Sequence, residues 1–214
     1  MTAALQGSLL DLQDSPTLGS LAASIRTELT DGAESSDRAW IDVRPNWLTG
    51  GSDLFEHLLH RVPWHAERRQ MYERVVDVPR LTKFYGEGEP LPDPILARMR
   101  DELSRHYAPE LGEPFRTAGL CLYRDGRDSV AWHADDRGRG KHQDTMVAIL
   151  SLGSPRALLL RPRGGGASLR RPLQHGDLLV MGGSCQRTWE HAVPKTARPA
   201  GPRMSIQFRP RGVT

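Results

Sequence analysis

The segment "VAWHADDRG", residues 130–138, sets His133 and Asp135 two apart, directly after an apolar run. On a strand, residues i and i+2 project to the same face, so an imidazole and a carboxylate spaced this way converge on one point. A third ligand would complete a two-histidine, one-carboxylate site. That donor set suits non-haem Fe(II) and leaves adjacent coordination positions open. His191, in "TWEHAVPK", lies in a strand-like segment well downstream; His175, in "LQHGDLL", precedes a Gly-Asp turn, and His142 lies in a charged loop. The tail segment "RMSIQFR" adds Arg203 and Arg209, six apart and so on one strand face. Two guanidinium groups aimed into a β core require anionic partners, because an unpaired buried charge is costly. A dicarboxylate would supply one through a bidentate pair. On a solvated face the same arginines would need no ligand.

The elements that must position these groups fall into two halves. "SPTLGSLAASIRTEL" carries Leu18, Leu21, Ala22, Ile25 and Leu29 at helical spacing, and "RAWIDVRPNWL" reads as a short strand. "GSDLFEHLLHRV" predicts an amphipathic helix, opened by a capping pattern of Asp53 and Glu56. A further helix is expected over 94–107, with Pro94 in its first turn. From residue 115 the period shortens. "TAGLCLYRDGRDSVAWHAD" reads as a hairpin about "RDGRD", and "LQHGDLL" as another hairpin corner. Further short strands, broken by Gly and Pro, fill the rest. Helices followed by many short strands predict an α+β fold, with helices packed on one face of a sandwich or jelly-roll core.

The length of 214 residues suits one domain, and no run of about 18 apolar residues predicts a membrane span. The opening residues show no basic, apolar secretory pattern, and two cysteines, Cys121 and Cys185, fit a reducing cytoplasm better than a disulfide framework. Both cysteines read as small buried apolar residues. A formal charge of +3 does not by itself define a partner, but "RALLLRPRGGGASLRR" holds five arginines and no acid, a patch that attracts phosphate.

His133-x-Asp135, then His191, then Arg203-x5-Arg209 resembles the AlkB-like 2-oxoglutarate- and Fe(II)-dependent dioxygenases. "PRLTKFYG", "LYRDGRDSVAWHADD", "VAILSLG", "HGDLLVMGG" and "PRMSIQFR" carry the resemblance, in order, over roughly residues 60–210. The resemblance implies a double-stranded β-helix in a domain of residues 38–214, with residues 1–37 as an N-terminal extension. It implies metal ligation by His133, Asp135 and His191. Tyr123 and Arg203 would hold 2-oxoglutarate, Ser205 would stand at a position that contacts it, and Arg209 would neutralise Asp135. Asp136 matches an acidic position near the target base. Trp64 and Tyr85 precede the β core, where the family builds its nucleotide-facing surface, and Arg163 is a phosphate-holding candidate. Trp132 and Trp189 are expected to point away from the metal. Repair members carry Asn at the positions of Cys121 and Ser205, and the segment "YGEGEPLPDP" is a short lid.

The implied activity is oxidative demethylation of alkylated bases in DNA or RNA with Fe(II), 2-oxoglutarate and O2, releasing succinate, CO2 and formaldehyde. The base would be single-stranded or flipped, because a stacked one cannot reach such a pocket. A cytoplasmic monomer is expected. Two alternatives stay open: the same chemistry on a protein or small molecule, and a binding module that has lost turnover.

Overall fold

The computed structural model describes residues 15–22, 25–30, 38–71, 74–140 and 142–213. Its first elements are β1 (Thr17–Leu18), β2 (Arg26–Leu29), β3 (Ala39–Arg44), β4 (Leu48–Thr49) and α1 (Ser52–Arg61). Strands β5 (His65–Met71) and β6 (Arg74–Tyr85) precede α2 (Pro94–Leu111). There follow β7 (Thr117–Tyr123), β8 (Val130–His133), β9 (Val147–Gly153), β10 (Arg156–Pro162), β11 (Leu169–Leu173) and β12 (Leu178–Gly183). A short α3 (Cys185–Thr188), β13 (Trp189–Val193) and β14 (Arg203–Arg209) end the chain.

An eight-stranded sheet runs β2-β3-β12-β9-β14-β7-β6-β5 and faces a four-stranded sheet ordered β11-β10-β13-β8. All the strand pairs are antiparallel. One core cluster joins α1 and α2 to the outer face of the large sheet, through Leu58, Leu96, Met99, Leu103, Leu150 and Ile206 among others. A second fills the space between the sheets, with Ile149, Leu160, Leu179 and Met181. Strand β9 reads as a continuous apolar run because both of its faces are covered. The expected jelly roll with helices on one face is what these layers form.

Helix α2 begins as its sequence predicts. Pro94 occupies the first turn, and Asp93 caps it by accepting the Ile95 N–H at 2.9 Å. The helix continues past residue 107 and stops at Gly112, whose φ of 81° lets its N–H reach the Ala108 carbonyl. Leu54, Phe55 and Leu58 bury the inner face of α1. Its N-cap is Gly51, with no side-chain cap bond, so the expected Asp53–Glu56 capping pattern is not used; Asp53 lies in the first turn instead.

Three local expectations are corrected. The helical spacing expected over residues 18–29 gives no helix among the described residues, which instead form strands at Thr17–Leu18 and Arg26–Leu29. Strand β1 pairs with β4, and β2 extends the large sheet by pairing with β3, which buries Leu29 between the sheets. Part of the N-terminal extension is thus continuous with the β core; most of the remainder lies outside the described residues. Nor does "RDGRD" close a hairpin: β7 belongs to the large sheet and β8 to the small one. Buried Arg156 of β10 fixes this crossing loop by donating to the carbonyls of Asp125, Asp128 and Pro194 at 2.7–2.9 Å. "LQHGDLL" also crosses between sheets, from β11 to β12. There Gly176 has φ +83°, and a Cβ would meet the Leu48 carbonyl oxygen at 2.1 Å, so only glycine fits. Asp177 accepts the N–H groups of Asn46 and Gln174, and His175 Nδ1 accepts that of Gly153. The motif is a structural knot. No described helix is long and apolar enough to cross a membrane.

Candidate metal centre and cosubstrate cavity

The alternation of β14 sorts its side chains. Met204, Ile206 and Phe208 enter the core beneath the helices. Arg203, Ser205, Gln207 and Arg209 therefore project into the space between the sheets. Strand β7 does the same: Ala118 and Leu120 face the helices, while Cys121 and Tyr123 face the second core cluster. Register aligns Arg203 with Tyr123, Ser205 with Cys121 and Gln207 with Gly119.

Across the gap, His133 of β8 and His191 of β13 are direct register partners. Their ring centroids lie 4.2 Å apart. Cross-strand pairing thus supplies the second histidine that spacing alone could not select. Asp135 follows immediately, with Oδ1 3.7 Å from His133 Nε2. One ligand atom from each of His133, Asp135 and His191 lies within 4.8 Å of the others. Among the described residues, neither His175 nor His142 joins them.

The protonation states suit a cation. His133 Nδ1 lies 2.9 Å from the Ala131 carbonyl oxygen. An Nδ1–H donated to that carbonyl orients the ring so that Nε2 is the nitrogen facing the cluster. Burial, reinforced by His133, pushes the His191 imidazole down to about 3, so it is neutral. Burial alone would raise the Asp135 pKa, but nearby positive charge, Arg209 first, outweighs it and holds it at about 2. Arg209 donates to Oδ2 through Nε at 3.1 Å and Nη2 at 2.9 Å, which keeps Oδ1 free of that clamp. Buried Gln186 in α3, a residue the sequence did not single out, accepts the Asp135 N–H at 2.9 Å. Two imidazoles and one anionic carboxylate match the Fe(II) donor set.

On the strand face that also carries Arg209, Arg203 is 1% exposed, and its Nη1 finds no partner among the described residues. Its Nε donates to Ser151 Oγ at 3.2 Å, and its guanidinium lies 5.1 Å from the Tyr123 ring centre. Burial lowers the Arg203 pKa, opposed by Tyr123. Burial raises the Tyr123 pKa to about 12, so the hydroxyl keeps its proton and can donate. A buried cation with an idle donor fits a carboxylate ligand.

The remaining candidates divide. Asp136 and Arg163 form an ion pair with each other beside the cluster, and Arg163 also donates to the Gln186 carbonyl. Tyr85 was expected at an exposed surface; it is 5% exposed and packs in the core beneath the helices. Trp64 packs against that same core and donates from Nε1 to the Leu59 carbonyl at the end of α1. The aromatic that alternation turns the other way is Phe84, 46% exposed. It borders a groove of about 480 Å³ lined also by His65, Lys83, Cys121, Gln207 and Arg209. Strand parity in "LTKFYG" could have separated the two rings. Trp132 points away from the ligands as expected and lies under the Arg161 guanidinium. Trp189 does not: two residues before His191, it shares the inner face and joins the core between the sheets. Cys185 is buried, whereas Cys121 is half-buried at the groove. The arginine patch is partly committed internally, with Arg156 on backbone carbonyls and Arg161 paired to Glu190.

The family model of the 2OG-Fe(II) oxygenase superfamily matches residues 45–209, and the chain belongs to that superfamily. Within it the chain is AlkB-like. The Bos taurus protein named alpha-ketoglutarate-dependent dioxygenase alkB homolog 3 is 32% identical over 182 residues, covering 76% of this chain and 62% of its own. The Homo sapiens DNA oxidative demethylase ALKBH2 is 26% identical over 212 residues, covering 84% of this chain and 79% of its own. This chain thus spans under two-thirds of the length of the first of these relatives. The solved structure of OsALKBH1 has the same fold, with a TM-score of 0.60 at 14% identity, over 80% of this chain and 96% of that one.

Proposed function

We propose that this chain is an Fe(II)- and 2-oxoglutarate-dependent oxidative demethylase of alkylated nucleic-acid bases. The observation that carries the reading is the convergence of His133, Asp135 and His191, together with a buried Arg203 whose idle donor lies on the strand face that carries Arg209. When bound, iron and 2-oxoglutarate would let O2 act as the oxidant: one oxygen atom enters succinate as 2-oxoglutarate loses CO2, and the other turns an N-methyl group into a hydroxymethyl that is lost as formaldehyde.

The chain's own residues do the placing. His133, His191 and anionic Asp135 offer the lone pairs. Arg209 prevents Asp135 from rotating both oxygens toward the cation. Arg203 and Tyr123 grip the far carboxylate of the cosubstrate. Nucleic acid as the substrate is supported by the activity named for the ALKBH2 relative and by the groove beside the site. Phe84 offers a stacking face there, and Lys83, ion-paired with Glu89, lines the groove beside it. A base reaches the site unpaired, either from a single strand or flipped from a duplex. The protein acts as a monomer.

The test is succinate release across methylated DNA, RNA and protein substrates, with and without iron. Iron-dependent turnover stimulated by methylated oligonucleotide, with formaldehyde formed, is the expected result. Turnover stimulated only by protein, or by none of them, would sink the assignment.

A further inference from the structure

Ser205 and Cys121 face each other across β14 and β7, where short side chains leave the cosubstrate wall short of amide donors. The neighbouring Gln207 fills that space. It is 7% exposed and lies on the same strand face as Arg203 and Arg209. Its Nε2 donates to the Ser205 carbonyl at 3.3 Å and to Ser205 Oγ at 2.5 Å. Its Oε1 lies 3.9 Å from Cys121 Sγ, a weak thiol donor. Gly119 makes this posture possible: a Cβ there would stand 3.0 Å from Gln207 Oε1 and 2.7 Å from Arg209 Nη1.

Counting donors fixes the consequence. The Ser205 hydroxyl accepts from the amide, so its single hydrogen remains to be given. No acceptor for that hydrogen occurs among the described residues. Ser205 pairs in register with Ser151, whose Oγ is already held by Arg203 Nε. The idle Nη1 of Arg203, buried on the same face, marks where an anion would sit. Two donors without acceptors therefore stand on one strand face, two residues apart.

We propose that Gln207 is a positioning residue that orients the Ser205 hydroxyl, so that Ser205 and Arg203 together donate to the carboxylate of the cosubstrate. The inference rests on the 2-oxoglutarate reading given above. Gln207 acts through Ser205, so the two substitutions must not add.

The experiment measures 2-oxoglutarate binding by calorimetry in full-length Mn(II)-loaded protein, for the parent, Ser205→Ala, Gln207→Met and the double variant. Each single change is expected to weaken binding about threefold to tenfold, the range of one hydrogen bond. The double variant should bind no more weakly than Ser205→Ala, and thermal stability should be little changed throughout. Gln207→Leu repeats the cycle should the methionine variant fold poorly. Additive losses, or parent-like affinity in Gln207→Met, would overturn the positioning role while leaving the cosubstrate site intact. Absence of binding in the parent would instead overturn the cosubstrate reading, and this inference with it.

Discussion

Replacing Arg203 by Met should separate binding from stability, because the structure assigns the guanidinium a cost as well as a use. The side chain is 1% exposed, its Nη1 has no partner among the described residues, and its Nε donates to Ser151 Oγ. Methionine keeps much of the stem and removes the charge. In the metal-free protein the loss of one hydrogen bond, ~1 kcal/mol, is offset by removing an unsatisfied buried donor that costs ~1–3 kcal/mol. Stability should hold or rise by ~1 kcal/mol, which for a chain of this size moves Tm up by ~2–4 °C. In the metal-loaded protein the cosubstrate carboxylate loses its charged partner. The penalty of ~3 kcal/mol for breaking a buried charge pair corresponds to a ~100-fold rise in Kd. Calorimetric titration of 2-oxoglutarate into Mn(II)-loaded protein and thermal denaturation of the apoprotein read the two quantities. Binding within about threefold of the parent, or a stability loss above ~2 kcal/mol, would refute the reasoning from the idle donor.

Removing His133 by substitution with Ala should abolish iron-dependent turnover and leave the fold largely intact, since the ring contributes to the metal site more than to either core cluster; parent-like turnover would remove the metal assignment. Phe84→Ala should raise KM for methylated oligonucleotide ~10-fold, about the worth of one stacked base. Phe84→Trp should retain activity, and an unchanged KM in the alanine variant would show that the ring does not meet the base. Leu58→Ala empties a fully buried site between α1 and the large sheet. It should cost ~2–5 kcal/mol in denaturant unfolding, and a loss under ~1 kcal/mol would mean the helix layer is packed more loosely than drawn.

Much of this site was legible in the chain because strand geometry is local. Period two dictates that His133 and Asp135 share a face, that Arg203, Ser205, Gln207 and Arg209 form a row, and that Met204, Ile206 and Phe208 turn the other way. The same parity separates Phe84 from Tyr85, although an exposed segment following Tyr85 suggested the wrong ring. Capping residues and proline announced α2 for an equally local reason. What spacing could not supply was pairing. Whether "RDGRD" and "LQHGDLL" fold back or cross between sheets depends on partners far along the chain: Arg156 and Pro194 for one, Leu48 and Gly153 for the other. The apolar spacing of residues 18–29 was overruled likewise, since an open edge on β3 offered backbone hydrogen bonds that a short isolated helix could not match. His191 stands opposite His133 only because β13 pairs with β8, and Gln186 reaches Asp135 only because α3 precedes that strand. The sequence alone determined which faces carry polar groups; the tertiary structure decided which faces meet, because long-range register is set by the packing of whole sheets.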